Sequence, residues 1–509
     1  MSSQTRRAVV SPTPPRLAGF RAVASVGVLV VGLLGAGVST SAQTLPWELP
    51  NWSDSTRAAA TTLPLDFAVV ASIAIEGNRK TRRDIVLRAM DLGVGDTLRA
   101  GDVAAQLARQ RRLLLNTGLF SEAELLLRDV DPSRRTVRLR ILVREKWYVY
   151  PGLDIDLADR NFNVWWTEQG AGLDRVNAGV NVKHYNTTGR QDRTTLILQG
   201  GYTRKVELTY RIPYIDRRQL VGVELGVLTN SSREWGAFTE GGIMRFVGSD
   251  TANVLERNRL RGAVSFSPGL FARHELRVER QRNTASGLLA GDANPRFFGG
   301  ARVEQRFWGL RYSFRVDRRD VRPFPQAGYL LEARAEKLGL GGEDLNRLVT
   351  SLALTIYRPL PFGKLNVATA AKVSTDLVRT PQPYFNRVSL GFDDDFVRGY
   401  QLYVADGLDF AYAKTTLRRE LFDLRVRLPF APVRRLQLIP LRVDLALLGD
   451  LGYMRDPFGT PGNLLANRLL TSYGVGAYAN LFFGKVFRFE LARNGFGEWG
   501  GYVGYSLGF

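Results

Sequence analysis

The chain contains no cysteine and only two histidines among its 509 residues. The lack of cysteine excludes a disulfide framework, a thiolate metal site and a lipid-modified cysteine after an export signal. His184 and His274 are the whole imidazole complement, which leaves little material for acid–base chemistry near neutral pH. Their surroundings, "VKHYNTTG" and "ARHEL", read as strand-end or loop positions with no Ser or Asp constellation. Phosphate loops, zinc motifs and paired carboxylates are missing as well. The sequence therefore offers no catalytic residue, no metal site and no cofactor, and an enzyme is not expected. Beyond the N-terminal segment no run is long and apolar enough for a transmembrane helix.

Acids are scarce relative to bases: 49 Asp and Glu face 70 Lys and Arg, a formal charge of +21. Such an excess would suit a nucleic-acid binder. The N-terminus points to another compartment. Arg6, Arg7, Arg16 and Arg21 form a basic front, Ala22 to Val38 is apolar, and Ser39-Thr40-Ser41-Ala42 offers a small-residue cleavage site. Residues 1–42 read as a signal peptide rather than an anchor, because the apolar stretch is short and glycine-rich for a span that needs ~20 apolar residues. Outside the cytoplasm the basic excess suits lipid phosphates or acidic chains, with no nucleic acid as partner; plain solubilising charge is the alternative. An exported chain without a helical span is either soluble or a β-barrel.

What is present changes character twice. Residues 43–66 have no period and several prolines, and read as a flexible linker. Residues 67–146 alternate helix and strand signals. "VVASIAIEGNRKT" is a strand ending at the turn pair Gly77-Asn78, and Val103, Leu107 and Leu114 line one face of a helix. Gly118 supplies a left-handed cap. Two strands follow, and in the second Val137, Leu139, Ile141 and Val143 alternate with Arg138, Arg140 and Arg144. The order β-α-α-β-β makes a small α+β domain.

From Trp147 to Phe509 the helical signal gives way to alternation. Val206, Leu208, Tyr210 and Ile212 interleave with Glu207, Thr209 and Arg211; Tyr473, Val475, Ala477 and Ala479 interleave with Gly474, Gly476, Tyr478 and Asn480. Each segment has the ~10 residues that a tilted transmembrane strand needs. Charges recur on the polar side, which a wet lumen tolerates and a sandwich core does not. Together with a last strand that alternates and stops on Phe509, this favours a mainly β protein whose residues 147–509 form a transmembrane β-barrel over a soluble β-sandwich.

Short motifs along the mature chain resemble a known family. Ile75-Glu76-Gly77-Asn78 through Thr81, Asn116 to Phe120 and Ile141 to Glu145 resemble the pattern of a polypeptide-transport-associated (POTRA) domain. Asp317-Arg318-Arg319-Asp320 with Pro325 and Gly328, Val397-Arg398-Gly399-Tyr400, and Asp450-Leu451-Gly452 resemble barrel motifs of the bacterial surface-antigen superfamily. That superfamily includes the central subunit of the barrel assembly machinery and two-partner secretion translocators.

The resemblance implies about sixteen antiparallel strands in the cell outer membrane, with the POTRA domain in the periplasm. It implies a factor that inserts or translocates unfolded outer-membrane or secreted polypeptides. Further partners are the lipid bilayer with its anionic headgroups and accessory lipoproteins. The motif Val397, Arg398, Gly399 and Tyr400 is then a loop folded into the lumen, with Arg398 paired to Asp450. Alternation from Val443 to Tyr453 independently puts Asp444 and Asp450 on the luminal face. Without the other motifs, "DDDFVRGY" would read as a solvated loop. Clients are expected to add a strand to the edge Ala123–Val130, with Ala123, Leu125, Leu127 and Asp129 as its candidate residues. Gly500, Gly501, Gly504, Tyr505, Leu507 and Phe509 mark the last strand as a weakly paired seam, although glycines also make room for aromatics in barrel strands. A dedicated two-partner exporter and a passive porin are the competing functions, and a porin leaves the POTRA domain unexplained.

Overall fold

The computed structural model describes residues 65–507 except 217, 270, 322–323, 342–343, 428–437, 461 and 482–484. The expected signal peptide at 1–42 lies outside them, as do the expected linker up to residue 64 and Phe509.

Alternation at Val137, Leu139, Ile141 and Val143 folds as a one-faced strand requires: all four are buried. They lie on β4 (Thr136–Glu145), in a sheet with β1 (Phe67–Glu76), β2 (Thr97–Arg99) and β3 (Phe120–Asp131) in the order β2-β1-β4-β3. Helices α1 (Arg83–Arg88) and α2 (Val103–Asn116) cover that face, α1 with Ile85 and Val86, α2 with Val103, Leu107 and Leu114. Each fully buried Val, Leu or Ile contributes on the order of 1.5–3 kcal/mol, so this layer supplies the domain's own core. On the open face Arg138, Arg140 and Arg144 pair with Asp129, Glu76 and Glu122 at 2.7, 2.7 and 3.0 Å. These pairs are solvated and add little stability. The three-residue β2 between the helices is too short to show a period in the sequence.

Sixteen strands form the second sheet, each antiparallel to the next in chain order. The first five are β5 (Val149–Leu157), β6 (Val176–Tyr185), β7 (Arg193–Gly201), β8 (Thr203–Ile212) and β9 (Val221–Ser232). Then come β10 (Leu255–Phe266), β11 (Ala272–Ala285), β12 (Glu304–Asp317), β13 (Gly328–Leu338) and β14 (Arg347–Pro359). The set ends with β15 (Leu365–Asp376), β16 (Asp409–Arg427), β17 (Leu438–Arg455), β18 (Leu469–Asn480), β19 (Lys485–Asn494) and β20 (Trp499–Leu507). Period-two alternation sorts the side chains: Leu445, Leu447 and Leu451 are 48%, 58% and 52% exposed, whereas Asp444 and Asp450 are 0% and 3% exposed. Apolar groups outward and carboxylates inward is the pattern of a transmembrane barrel with a polar lumen.

The α+β domain docks against the turns at one end. Asn186 Nδ2 donates to Thr81 Oγ1 at 2.8 Å, and the Arg82 N–H donates to the Gly189 carbonyl at 3.0 Å in the β6–β7 turn. Gln219, in the β8–β9 turn, donates to the Arg88 carbonyl at 3.3 Å. Longer connections cap the opposite end, where Leu289, Phe297 and Phe298 are buried with Tyr384 and Phe385 packed on them. Short helical pieces correct the expectation of a helix-free barrel region, the longest being α3 (Phe162–Thr167) in the β5–β6 loop and a π-helical turn at Leu288–Ala293. Both are six residues long, too short for a helical period to register. In α3 local chemistry decides, because the Asn161 side chain caps the helix by accepting from the Val164 N–H at 2.9 Å.

Candidate functional site in the barrel lumen

Between β15 and β16 the chain turns into the barrel instead of away from it. The stem of this loop is a two-stranded pairing of Val388–Leu390 with Ala405–Gly407. Within it, successive turns close from Tyr400 N–H to Val397 O at 3.0 Å and from Tyr403 N–H to Tyr400 O at 2.9 Å. Val397, Arg398 and Tyr400 are buried.

Arg398 and Asp450 meet face to face. The Arg398 backbone N–H donates to Asp450 Oδ2 at 2.9 Å, and Nε donates to Oδ2 and Oδ1 at 2.9 and 3.1 Å. Nη2 also bonds Oδ1, so the fork and the carboxylate are engaged in parallel. The remaining donors reach β16 and β18: Nη1 to Thr416 Oγ1 at 2.9 Å and Tyr478 OH at 3.5 Å, Nη2 to the Thr415 carbonyl at 3.0 Å. Burial disfavours the charge on Arg398, and the Asp450 hydrogen bonds and charge outweigh it, holding the guanidinium pKa above its ordinary value. A buried pair satisfied this fully resists the loss of either partner, which typically costs about 3–5 kcal/mol.

Neighbouring residues fit the same anchor. Gly399 stands at φ 84°, and a Cβ there would come within 3.2 Å of Ser472 and 3.4 Å of Asn494. Its carbonyl accepts from Tyr502 OH at 2.9 Å and Asn494 Nδ2 at 3.2 Å. Tyr400 OH accepts from the Gly495 N–H at 2.9 Å. The acidic run before the motif is fastened to the wall: Asp395 pairs with Lys372 at 2.5 Å and accepts from Tyr412 OH at 3.1 Å, and the Asp394 carbonyl accepts from Lys414 at 2.8 Å.

On the far side, Arg160 of the β5–β6 loop grips the loop backbone. Its Nη1 donates to the carbonyls of Gly391, Gln401 and Tyr403 at 2.9, 2.9 and 3.0 Å, and its Nη2 to that of Leu402. Burial among neutral acceptors lowers its pKa to about 10. Val397, Arg398, Gly399, Tyr400 and Asp450 thus come together, with Thr416, Tyr478, Tyr502, Asn494 and Arg160 as partners that sequence reading missed. Tyr478 shares the luminal parity of its strand, a signal that was there to be read; Arg160 sits in an aperiodic loop and left none.

The other candidate residues lie elsewhere. At the last strand, Gly500 makes room for the Tyr502 ring, whose hydroxyl would stand 2.2 Å from a Cβ, and Gly504 lies against Arg488. Gly501 faces open space. Tyr505 points outward, and Leu507 closes β20. Among the described residues no strand pairing joins β20 to β5. In the small domain β3 is an edge strand, but the side chains of Ala123, Leu125 and Leu127 are buried in its core. Asp129 sits at φ 51° and pairs with Arg138. Such an edge is readable through its backbone, and Arg111 Nε already donates to the Ala123 carbonyl at 2.9 Å. His184 lies on β6; His274, on β11, faces outward, with Nδ1 2.8 Å from Tyr312 OH.

Comparison with known proteins follows this geometry. Residues 68–146 match the family model for POTRA, described as a surface antigen variable number repeat. No curated protein sequence matches the chain. In fold the chain is similar to BamA from Haemophilus ducreyi lacking POTRA domains 1–3, at TM-score 0.65 and 13% identity, over 86% of this chain and 84% of that one. CdiB from Acinetobacter baumannii aligns at TM-score 0.48 and 10% identity, over 86% of this chain and 73% of that one. For CdiB from Escherichia coli the values are 0.49 and 11%, over 86% and 74%. The chain thus carries a POTRA domain at residues 68–146, followed by a sixteen-stranded antiparallel sheet, and in fold it is similar to BamA.

Proposed function

We propose that the protein inserts polypeptides into an outer membrane or passes them across it, with the barrel in the bilayer and the POTRA domain on the periplasmic side. The observation that carries this reading is the luminal loop. A segment held inside the barrel by a buried, multiply bonded Arg398–Asp450 pair occupies part of the path that an open passive pore would use. A machine that must keep its lumen ordered while a neighbouring seam rearranges has a use for it. The POTRA domain supplies the receiving side, because an extended client can pair with the outer backbone edge of β3, where Arg111 holds the Ala123 carbonyl. Outward Leu and aromatic side chains suit the acyl region. Basic groups at the turns, such as Arg318 lying 5.0 Å over the Phe271 ring, suit anionic headgroups.

Depleting the protein in its native host and quantifying outer-membrane and secreted proteins tests the reading. Loss of many unrelated barrels assigns a general assembly role. Loss of one or a few exported proteins with other barrels intact assigns a dedicated translocator. If neither changes, the reading fails.

A further inference from the structure

The outer edge of β20 faces the seam, and at Val503 that edge is met by a side chain instead of a strand. The Val503 N–H donates to Asn163 Oδ1 at 2.9 Å, and its carbonyl accepts from Asn163 Nδ2 at 3.4 Å. In an antiparallel ladder the N–H and C=O of one residue face the same neighbour. The Asn163 amide, one donor and one acceptor side by side, therefore occupies the place of a residue in a pairing strand. Leaving those backbone groups unmet in a membrane wall would be unfavourable.

Asn163 is held in place for this task. It is 5% exposed and sits on α3. Phe162 packs there against Trp165 and Trp166, with centroids 5.6 and 5.9 Å away, and the Thr167 hydroxyl donates back to the Asn163 carbonyl at 2.6 Å. The same Nδ2 donates to Gln401 Oε1 at 2.7 Å, and Asn161 Nδ2 donates to the Gln401 carbonyl at 2.9 Å. Gln401 follows Val397-Arg398-Gly399-Tyr400 directly. A continuous set of contacts runs from Asp450 through Arg398 and the loop to Gln401, then through Asn163 to the edge of β20.

We propose that Asn163 is a latch on the seam: it stands in for a pairing strand at Val503, and through Gln401 it ties closure of the seam to the seating of the luminal loop. An extended segment that pairs with β20 must displace the Asn163 amide first. When the loop unseats, Gln401 withdraws the support that aims Asn163, and the edge of β20 is released. The latch gives the seam work to do only under the assembly or translocation reading above, but its closed and open states exist without a client.

The absence of cysteine makes the test direct. Spin labels at Val180→Cys on β6 and Tyr505→Cys on β20, both outward-facing, flank the seam in full-length protein reconstituted into phosphatidylethanolamine–phosphatidylglycerol vesicles. Pulsed electron paramagnetic resonance then reads their separation without client. Asn163→Leu, which removes donor and acceptor together, should add a population longer by about one strand spacing, roughly 5 Å. Gln401→Leu should add the same population in smaller amount, and Leu173→Ala, at a position 81% exposed in the same loop, should add none. Where Asn163→Leu fails to give a folded, heat-modifiable barrel, Asn163→Asp, which keeps the acceptor and loses the donor, is read in its place. Distributions matching the parent in a folded Asn163 variant overturn the latch, whatever the depletion experiment says of function. A shift with Asn163→Leu and none with Gln401→Leu overturns the coupling to the loop.

Discussion

Val397 fills the space in which a side chain at Gly452 would stand: a Cβ there would lie 2.3 Å from Val397 Cγ2. Gly452 is two residues beyond Asp450 on β17 and shares its luminal face. The strand thus supplies both a charge for Arg398 and a hollow for its neighbour. Gly452→Ala should push the loop outward, at the about 1–3 kcal/mol typical of overpacking. Protease cleavage within residues 391–403 should rise by roughly one power of ten or more. Val397→Ala on the same background should restore most of the protection, since the two changes act through one contact. Unchanged cleavage in Gly452→Ala would mean that the loop adjusts without cost.

The ion pair gives a larger effect. Asp450→Leu leaves Arg398 buried with Glu490 as the nearest carboxylate, 4.0 Å from Nη1 and already accepting from Tyr478 OH at 2.7 Å. The loss of about 3–5 kcal/mol expected for a broken buried pair should raise loop cleavage at least a hundredfold. Asp450→Asn, which keeps the shape and an acceptor, should fall between. The double change Arg398→Met with Asp450→Leu should recover much of the barrel's thermal stability, because apolar residues of similar volume replace buried pairs at little cost. Activity should not recover with it if the charge pair sets where the loop sits. Equal losses in the single and double variants would show that the two side chains act independently.

The edge of β3 can be tested through Arg111. Its Nε holds the Ala123 carbonyl, so one acceptor on that edge is taken before a client arrives. Replacing it with methionine keeps the aliphatic stem and frees the carbonyl. If clients pair along this part of β3, Arg111→Met in the full-length protein should tighten binding of an extended peptide several-fold, matching one hydrogen bond of about 1 kcal/mol. Fluorescence anisotropy of a labelled strand-forming peptide gives the answer. Weakened binding would instead make Arg111 itself part of the receptor.

How much of this was legible in the sequence depends on the range of each interaction. The inward placement of Asp444 and Asp450 is a local property, since alternation along β17 runs unbroken past both. The sheet face of the POTRA domain was readable in the same way from Val137 to Val143. Tyr478, Glu490 and Tyr502 also have luminal parity, but parity does not say which strand's luminal residues lie beside a given loop. That depends on register summed around the barrel. The contacts of Asn163 join residues 238 and 340 positions apart, and α3 is shorter than any period that would announce it. For the glycines of β20 the sequence leaves a loose seam and room for neighbouring side chains both open; Gly500 and Gly504 sit where Tyr502 and Arg488 need room.

The last prediction concerns how the POTRA domain is held against the barrel. Gly189 stands at φ 84° in the β6–β7 turn, and a Cβ there would lie 2.2 Å from the Lys80 carbonyl oxygen. A branched side chain is disfavoured twice, by the left-handed backbone and by contact with an atom that belongs to the other domain. Gly189→Val should therefore separate the domains at this point and leave each core intact. The bonds from Arg82 N–H to Gly189 and from Asn186 to Thr81 would be lost with it. Amide hydrogen exchange is the direct measurement: protection should fall at Lys80–Arg83 and at residues 186–192, and stay unchanged in β4 and in β16–β18. Because the barrel still folds, any loss of client assembly in this variant would report the value of holding the receiving edge at a fixed place beneath the lumen. Full activity with the interface open would mean that the POTRA domain works on a tether. Its docking would then be a resting state only.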